Sequence, residues 1–254
     1  MEEEVCVSYT ILYFVMIRMS NISQLILGET GCVSYIIHCN EKREIAIVDS
    51  FEEFEEDILE EIKRLGYPSV KHVLDTHTHA DRRSASSYFV NEFGVDGIVK
   101  SEMTKYKGSK VKTKDGDIIL VGEIKIEVLF TPGHTYDHNC YLIDEVALLA
   151  GDCLFIGDVG RIDLGGDPKE KADMLFSSLR RLENLPKKTK VYPNHVGAAH
   201  AIDSEDTFST IGNEIETNEA IQISSKEEFY KYMTEGWPPK PDDWEKIIED
   251  NLNG

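Results

Sequence analysis

Three short runs rich in β-forming residues, Ile22 to Leu27, Val33 to His38 and Glu44 to Asp49, are separated by turn residues such as Gly28, Gly31 and Asn40. This pattern predicts an antiparallel meander. The period then changes. Phe51, Phe54, Ile58, Ile62 and Leu65 recur at helical spacing with glutamates on the other face, and Ser50 and Glu53 have the S-x-x-E spacing of a capping box. Gly66 ends that helix, and Val70 to Asp75 predicts a strand that runs into the polar stretch Thr76 to Arg83.

The pattern repeats in outline. Ser84 to Phe93 reads as a helix and Gly97 to Lys100 as a short strand. Ile118 to Leu120, Glu123 to Phe130, Cys140 to Ile143 and Val146 to Ala150 read as further strands. Lys169 to Leu185 predicts a helix ended by Pro186, and Lys190 to Tyr192 a strand. Lys105 to Lys114 reads as an exposed, turn-rich connection. Residues 214–254 read as a C-terminal helical tail of two segments split by Pro238, Pro239 and Pro241. Strand-rich blocks each followed by a helix predict an α/β fold, with two sheets face to face and helices outside. No linker interrupts the pattern, so residues 1–254 read as one domain.

The apolar segment Val5 to Ile17 is shorter than a membrane span and follows Glu2, Glu3 and Glu4, where a signal peptide would carry positive charge. It reads as an extra strand, or as an extension (residues 1–17) produced by an early start codon, since Met16 and Met19 follow. Membrane association is not expected. The net charge of −20 disfavours phosphate backbones, so nucleic acid is not an expected partner. The five cysteines, Cys6, Cys32, Cys39, Cys140 and Cys153, are odd in number and lack C-x-x-C spacing. That predicts a reducing compartment, the cytoplasm, with each cysteine a small buried apolar residue.

Polar residues cluster just after predicted strands at four places: His77, His79 and Asp81; His134; Asp152; and His195. Strand ends are where a rigid sheet can aim side chains into one cleft. An H-x-H places two imidazoles close enough to share an ion, and imidazole with carboxylate suits Zn, Fe or Mn better than Ca. Taken singly, each histidine would read as an ordinary structural residue; the ordered set of H-x-H-x-D, G-H, G-D and P-x-H would not. His38, His72, His138 and His200 fall outside it.

Thr76-His77-Thr78-His79-Ala80-Asp81 resembles the H-x-H-x-D-H signature of the metallo-β-lactamase superfamily, and the resemblance runs from about Ile22 to Asn213. It implies an αββα sandwich. Gly151-Asp152-Cys153-Leu154-Phe155 with Gly160-Arg161-Ile162-Asp163 resembles a segment shared by glyoxalase II and persulfide dioxygenases. Ser209-Thr210-Ile211-Gly212 and Met233-Thr234-Glu235-Gly236 look like the tail of the latter.

One position departs from the signature: Asp81 is followed by Arg82 rather than His. In two-zinc members that histidine belongs to the second metal site. A guanidinium has five donors and no acceptor, so it cannot ligate a cation. At about 4 Å and an effective dielectric of 20 it also repels each unit of positive charge by roughly 4 kcal/mol. The expectation is therefore a single ion; the persulfide dioxygenase resemblance implies Fe(II), with Zn as the alternative. The persulfide dioxygenase resemblance implies that His77, His134 and Asp152 hold it. His79 is carried as a further metal-site residue, either ligand or neighbour, while Asp81 and His195 orient ligands and bound water. Arg161 either meets an anionic substrate or braces the site through Asp163. The implied reaction takes a low-molecular-weight thiol persulfide and O2 to sulfite and thiol. Alternatives are a zinc-dependent glyoxalase II-like thioester hydrolase and a non-catalytic metal-binding protein. Any protein partner is expected to be a second copy of the chain.

Overall fold

The computed structural model describes residues 14–19, 21–28, 30–197, 206–235 and 239–254. Cys6, His200, Gly236, Pro238 and most of Val5 to Ile17 therefore lie outside the described residues. The first sheet has seven strands in chain order: β1 (Phe14–Met19), β2 (Ile22–Leu27), β3 (Val33–Cys39), β4 (Glu44–Val48), β5 (Ser69–Leu74), β6 (Ile98–Ser101) and β7 (Val111–Thr113). β1 to β4 form the antiparallel meander, and β4 to β7 continue in parallel. β1 shows that the end of the N-terminal apolar run is an added edge strand.

The second sheet has the order β13-β12-β11-β10-β9-β8, with β8 (Ile118–Val121), β9 (Ile124–Phe130), β10 (Asn139–Ile143), β11 (Ala147–Gly151), β12 (Lys190–Pro193) and β13 (Ser209–Thr210). β7 and β13 are strands that the sequence pattern did not resolve. β7 arises inside the basic stretch read as a loop, and at three residues it is too short to show a period.

Alternate residues of both sheets fill the space between them: Val33, Tyr35 and Ile37 of β3 meet Ile126 and Val128 of β9 and Tyr141 and Ile143 of β10. The outer face of the first sheet carries α1 (Glu55–Arg64) and α2 (Ser86–Phe93), through Phe54, Ile58, Ile62 and Phe89. The outer face of the second carries α3 (Pro168–Leu182), which buries Ala172, Leu175, Leu179 and Leu182 at helical spacing. Asp167 caps α3 by accepting from the amides of Lys169 and Glu170, and Pro168 at its start needs no partner for an N–H. The layers are those of the expected αββα sandwich.

Two expectations change. Ser50 does not cap α1; its hydroxyl meets Ser86 Oγ at 3.0 Å in the interior, and Glu53 turns to Arg82. The capping spacing was present, but a 3-10 turn (Glu52–Phe54) intervenes and both side chains find stronger tertiary partners. The C-terminal region is helical, as expected, but its described residues form four short helices where the pattern gave two segments. α4 (Ile211–Thr217), α5 (Glu219–Gln222) and α6 (Lys226–Tyr232) bury Ile211, Ala220, Ile221 and Phe229 against the α3 layer. The last helix, α7 (Trp244–Asn253), clasps the 79–84 loop: Asn251 Nδ2 donates to the carbonyls of His79 (3.0 Å) and Arg82 (2.8 Å), and its Oδ1 accepts the Ser84 amide at 2.9 Å.

Candidate metal centre

The chemistry-bearing side chains converge at one edge of the sandwich. His77, His79 and Asp81 follow β5, His134 follows β9, Asp152 follows β11 and His195 follows β12. All but Asp81 are almost fully buried. Donor atoms of His77, His134 and Asp152 lie within 4.8 Å of one another. Asp152 Oδ2 stands 3.8 Å from His77 Nε2 and 3.5 Å from His134 Nε2.

The two imidazoles are set to present Nε2. His134 Nδ1 donates to the Arg161 carbonyl at 2.7 Å. His77 Nδ1 lies 2.9 Å from Thr76 Oγ1, whose own proton goes to Asp49 Oδ1 at 3.1 Å, so the hydroxyl oxygen accepts from the ring. Such outer hydrogen bonds fix the tautomer that a metal needs. Burial holds His77 well below the usual histidine range, reinforced by the neighbouring His79, and pushes His134 down to about 4 against the pull of Asp152. Both rings are therefore neutral, the form in which an imidazole can ligate a metal. His77 Nε2 and Asp152 Oδ1 are buried with no hydrogen-bond partner among the described residues. Such atoms are costly in a dry interior and fit a cation as their missing partner. The residues thus fit a metal held by two imidazoles and one carboxylate.

His79 stands outside this set. Its ring packs 4.2 Å from that of His77, but its Nε2 meets Asp49 Oδ1 at 3.1 Å. Burial lowers its pKa, but the hydrogen bond and charge of Asp49, with Asp81 and Asp75, outweigh this and raise it to about 9. His195 Nε2 lies 3.5 Å from Asp81 Oδ2 and 3.6 Å from Asp152 Oδ2, linking the two carboxylates. The Arg161 side chain is held by both oxygens of Asp163 (2.6 and 3.0 Å) and the Pro239 carbonyl (3.1 Å). Of its two expected roles the bracing one matches this geometry, and its carbonyl adds an unanticipated contact to His134.

Three contributors were missed. Asp49 anchors the site, accepting from the Thr76 amide (2.7 Å), the Thr76 hydroxyl and His79. It follows β4 directly with a φ of 52°, a geometry that the sequence does not display. His138, given no role from sequence, accepts the Asp152 amide on Nε2 at 3.1 Å and contacts Thr131 Oγ1 through Nδ1 at 3.0 Å. Cys32, read as inert filling, has its Sγ 3.7 Å from Asp81 Oδ2.

Gly160 shows how tightly the loops interlock. A Cβ there would lie 1.8 Å from the Asp152 carbonyl and 3.0 Å from His134 Nδ1. Gly160→Ala is expected to displace both ligands and reduce metal content at least about tenfold, the lower end for disturbing outer contacts. Metal analysis beside a far-UV circular dichroism spectrum checks this; parental metal content in the folded variant would contradict it.

Comparison with known proteins identifies the family. A "Beta-lactamase hydrolase-like protein" of Xylella fastidiosa is 29% identical over 209 residues, 70% of this chain and 47% of that protein, so the chain spans about half its length. A "Hydroxyacylglutathione hydrolase" of Maricaulis maris is 31% identical over 180 residues, covering 68% of this chain and 67% of that one. Among solved structures, ETHE1 from Myxococcus xanthus superposes with a TM-score of 0.81 at 29% identity, over 91% of this chain and 97% of that one. The family model described as "Metallo-beta-lactamase superfamily" matches residues 27–252, and the chain belongs to that superfamily.

Proposed function

We propose that the chain is a non-haem iron persulfide dioxygenase, with one catalytic Fe(II) held by His77, His134 and Asp152. The observation that carries this reading is the two-histidine, one-carboxylate donor set, beside which Arg82 replaces the histidine of a two-zinc hydrolase. Such a set leaves coordination positions open to both a sulfur donor and O2. The likeness to ETHE1 supports it. When bound, iron supplies the O2 chemistry that side chains cannot.

The residues around it have positioning roles. Thr76 and the Arg161 carbonyl hold the two imidazoles in the required tautomer. The His138 ring fixes the Asp152 backbone, and His195 braces the carboxylate of Asp152 against Asp81. Burial of the donor set excludes bulk water from the reacting sulfur. The balanced reaction is R-S-SH + O2 + H2O giving R-SH, sulfite and two protons. The small thiol carrier and O2 are the expected partners, with at most a second copy of the chain and no nucleic acid. The cytoplasm is the expected compartment. Among the described residues no helix is long and apolar enough to cross a membrane.

The second reading, zinc-dependent thioester hydrolysis, is favoured by the hydroxyacylglutathione hydrolase relatives. Loading the protein separately with Fe(II) and Zn(II), then offering each form a thiol persulfide and an S-lactoyl thioester, distinguishes the two. The iron form is expected to consume O2 with the persulfide, and both forms to cleave the thioester slowly. Rapid thioester cleavage without oxygen uptake would establish the hydrolase.

A further inference from the structure

Lys100 places a charge in the interior, outside every motif of the metal centre. It lies in β6 and is 4% exposed. Burying an ammonium is costly unless carboxylates meet it. Two do. Its Nζ stands 2.6 Å from Asp75 Oδ2, and the charge of Asp137 acts on it as well. We propose that Lys100 is a positioning residue of the metal centre: its buried ammonium ties the loop that carries His77 to the loop that carries His134. The role rests on the centre formed by His77, His134 and Asp152, and not on which reaction that centre performs.

The two carboxylates come from different sheets. Asp75 directly follows β5, just ahead of Thr76 and His77, and its amide donates to the Val99 carbonyl of β6 at 3.1 Å, which brings it beside Lys100. Asp75 Oδ1 accepts from Ser86 Oγ at 2.5 Å, so Oδ2 is left to the ammonium. Asp137 lies between β9 and β10, on the same connection as His134. Its Oδ2 accepts from Thr78 Oγ1 at 2.6 Å, and Thr78 stands between His77 and His79. Tyr141 of β10 donates to the Asp75 carbonyl at 2.9 Å and adds a second tie across the sheets.

Electrostatics joins the three charges into one unit. Burial by itself lowers the Lys100 pKa, but Asp75 and Asp137 outweigh it and raise it. Burial by itself raises the Asp137 pKa, and Lys100 with Thr78 reverses that. Lys100 is therefore an ammonium facing two carboxylates. A buried ion pair adds little stability over well-packed apolar groups, so stability alone does not account for it. What the charges do set here is the spacing of two ligand-bearing loops. The rival is a plain structural charge, whose loss lowers stability and leaves the donor set as it was.

The ammonium is also reachable. It lines a cavity of about 310 Å³ with Asp75, Ser87 and Tyr106, and lies 5.5 Å from the centroid of the Tyr106 ring. Lys100→Ala therefore opens a hole that a small solute can enter.

Co(II) titration of the metal-free full chain separates the two roles. Affinity in Lys100→Ala should fall about tenfold, the lower end for disturbing an outer contact of a ligand, and the d–d spectrum should change. Propylammonium, which has the atoms that the truncation removes, should restore both. 1-Propanol, of similar shape without the charge, should not. Leu182→Ala, a core truncation in α3, should lower Tm and leave cobalt binding parental. If Lys100→Ala does not fold, Lys100→Met combined with Asp75→Asn removes the buried pair while keeping its shape, and it should show the same cobalt loss. Parental affinity and spectrum in a folded Lys100 variant, no restoration by propylammonium, equal restoration by 1-propanol, or an equal cobalt loss in Leu182→Ala would each overturn the role. A parent that binds no Co(II) would overturn the centre itself and this role with it. None of these readouts uses persulfide or thioester, so the proposed reaction is tested separately.

Discussion

Asp152→Ala is expected to abolish both metal retention and turnover. Asp152 is the only anionic donor of the His77, His134 and Asp152 set, and its carboxylate lies within 3.8 Å of all three imidazole Nε2 atoms around it. Without it, two neutral histidines face the ion and His195 loses its brace. Removing an outer partner of a metal ligand typically costs about 10–100-fold in affinity or activity, so loss of the ligand itself should exceed about 100-fold. Iron content after desalting and oxygen uptake should fall together. Asp152→Asn, with no charge but similar shape, should retain the fold and still lose the metal. A variant that keeps stoichiometric iron would show that the ion is held elsewhere.

The largest stability effect is expected at Asp49, which touches no proposed ligand atom. Its fully buried carboxylate accepts from the Thr76 amide, the Thr76 hydroxyl and the imidazolium of His79. Asp49→Ala strands a buried cation and two donors, a loss of about 3–5 kcal/mol by analogy with breaking a buried ion pair. For a chain of this size each kcal/mol moves the midpoint by about 2–4 °C, so Tm should drop by about 6–20 °C. Asp49→Asn keeps an acceptor for Thr76 and should lose less. Calorimetry on the metal-free forms isolates this from metal binding. An unchanged Tm in Asp49→Ala would mean that His79 is neutral and Thr76 satisfied by other means.

These two residues mark where the sequence was legible. The strands were readable because β2 to β5 and β8 to β12 alternate or run apolar between turn residues, and the sandwich followed from their order. His77, His134 and Asp152 were readable because each sits in a short motif at a strand end, so spacing alone carried them. Asp49, His138 and Cys32 have no such motif. They act through contacts to residues 27, 14 and 49 positions away, which only the folded sheets bring together. Cys32 shows the limit best. The Asp81-Arg82 departure from the H-x-H-x-D-H signature was visible in the sequence, yet the side chain beside that position comes from the turn between β2 and β3. Likewise α7 was legible as a helix, but Asn251 gripping the 79–84 loop was not, because three hydrogen bonds leave no periodic trace.

The central claim is that the two-histidine, one-carboxylate centre performs O2 chemistry on a sulfane sulfur. The most direct measurement uses anaerobically purified, iron-loaded protein in an oxygen-electrode cell, with sulfite and free thiol quantified after a pulse of thiol persulfide. The account predicts one O2 consumed and one sulfite and one thiol released per persulfide, with all three lost in Asp152→Ala. Thiol release with neither oxygen uptake nor sulfite would contradict it.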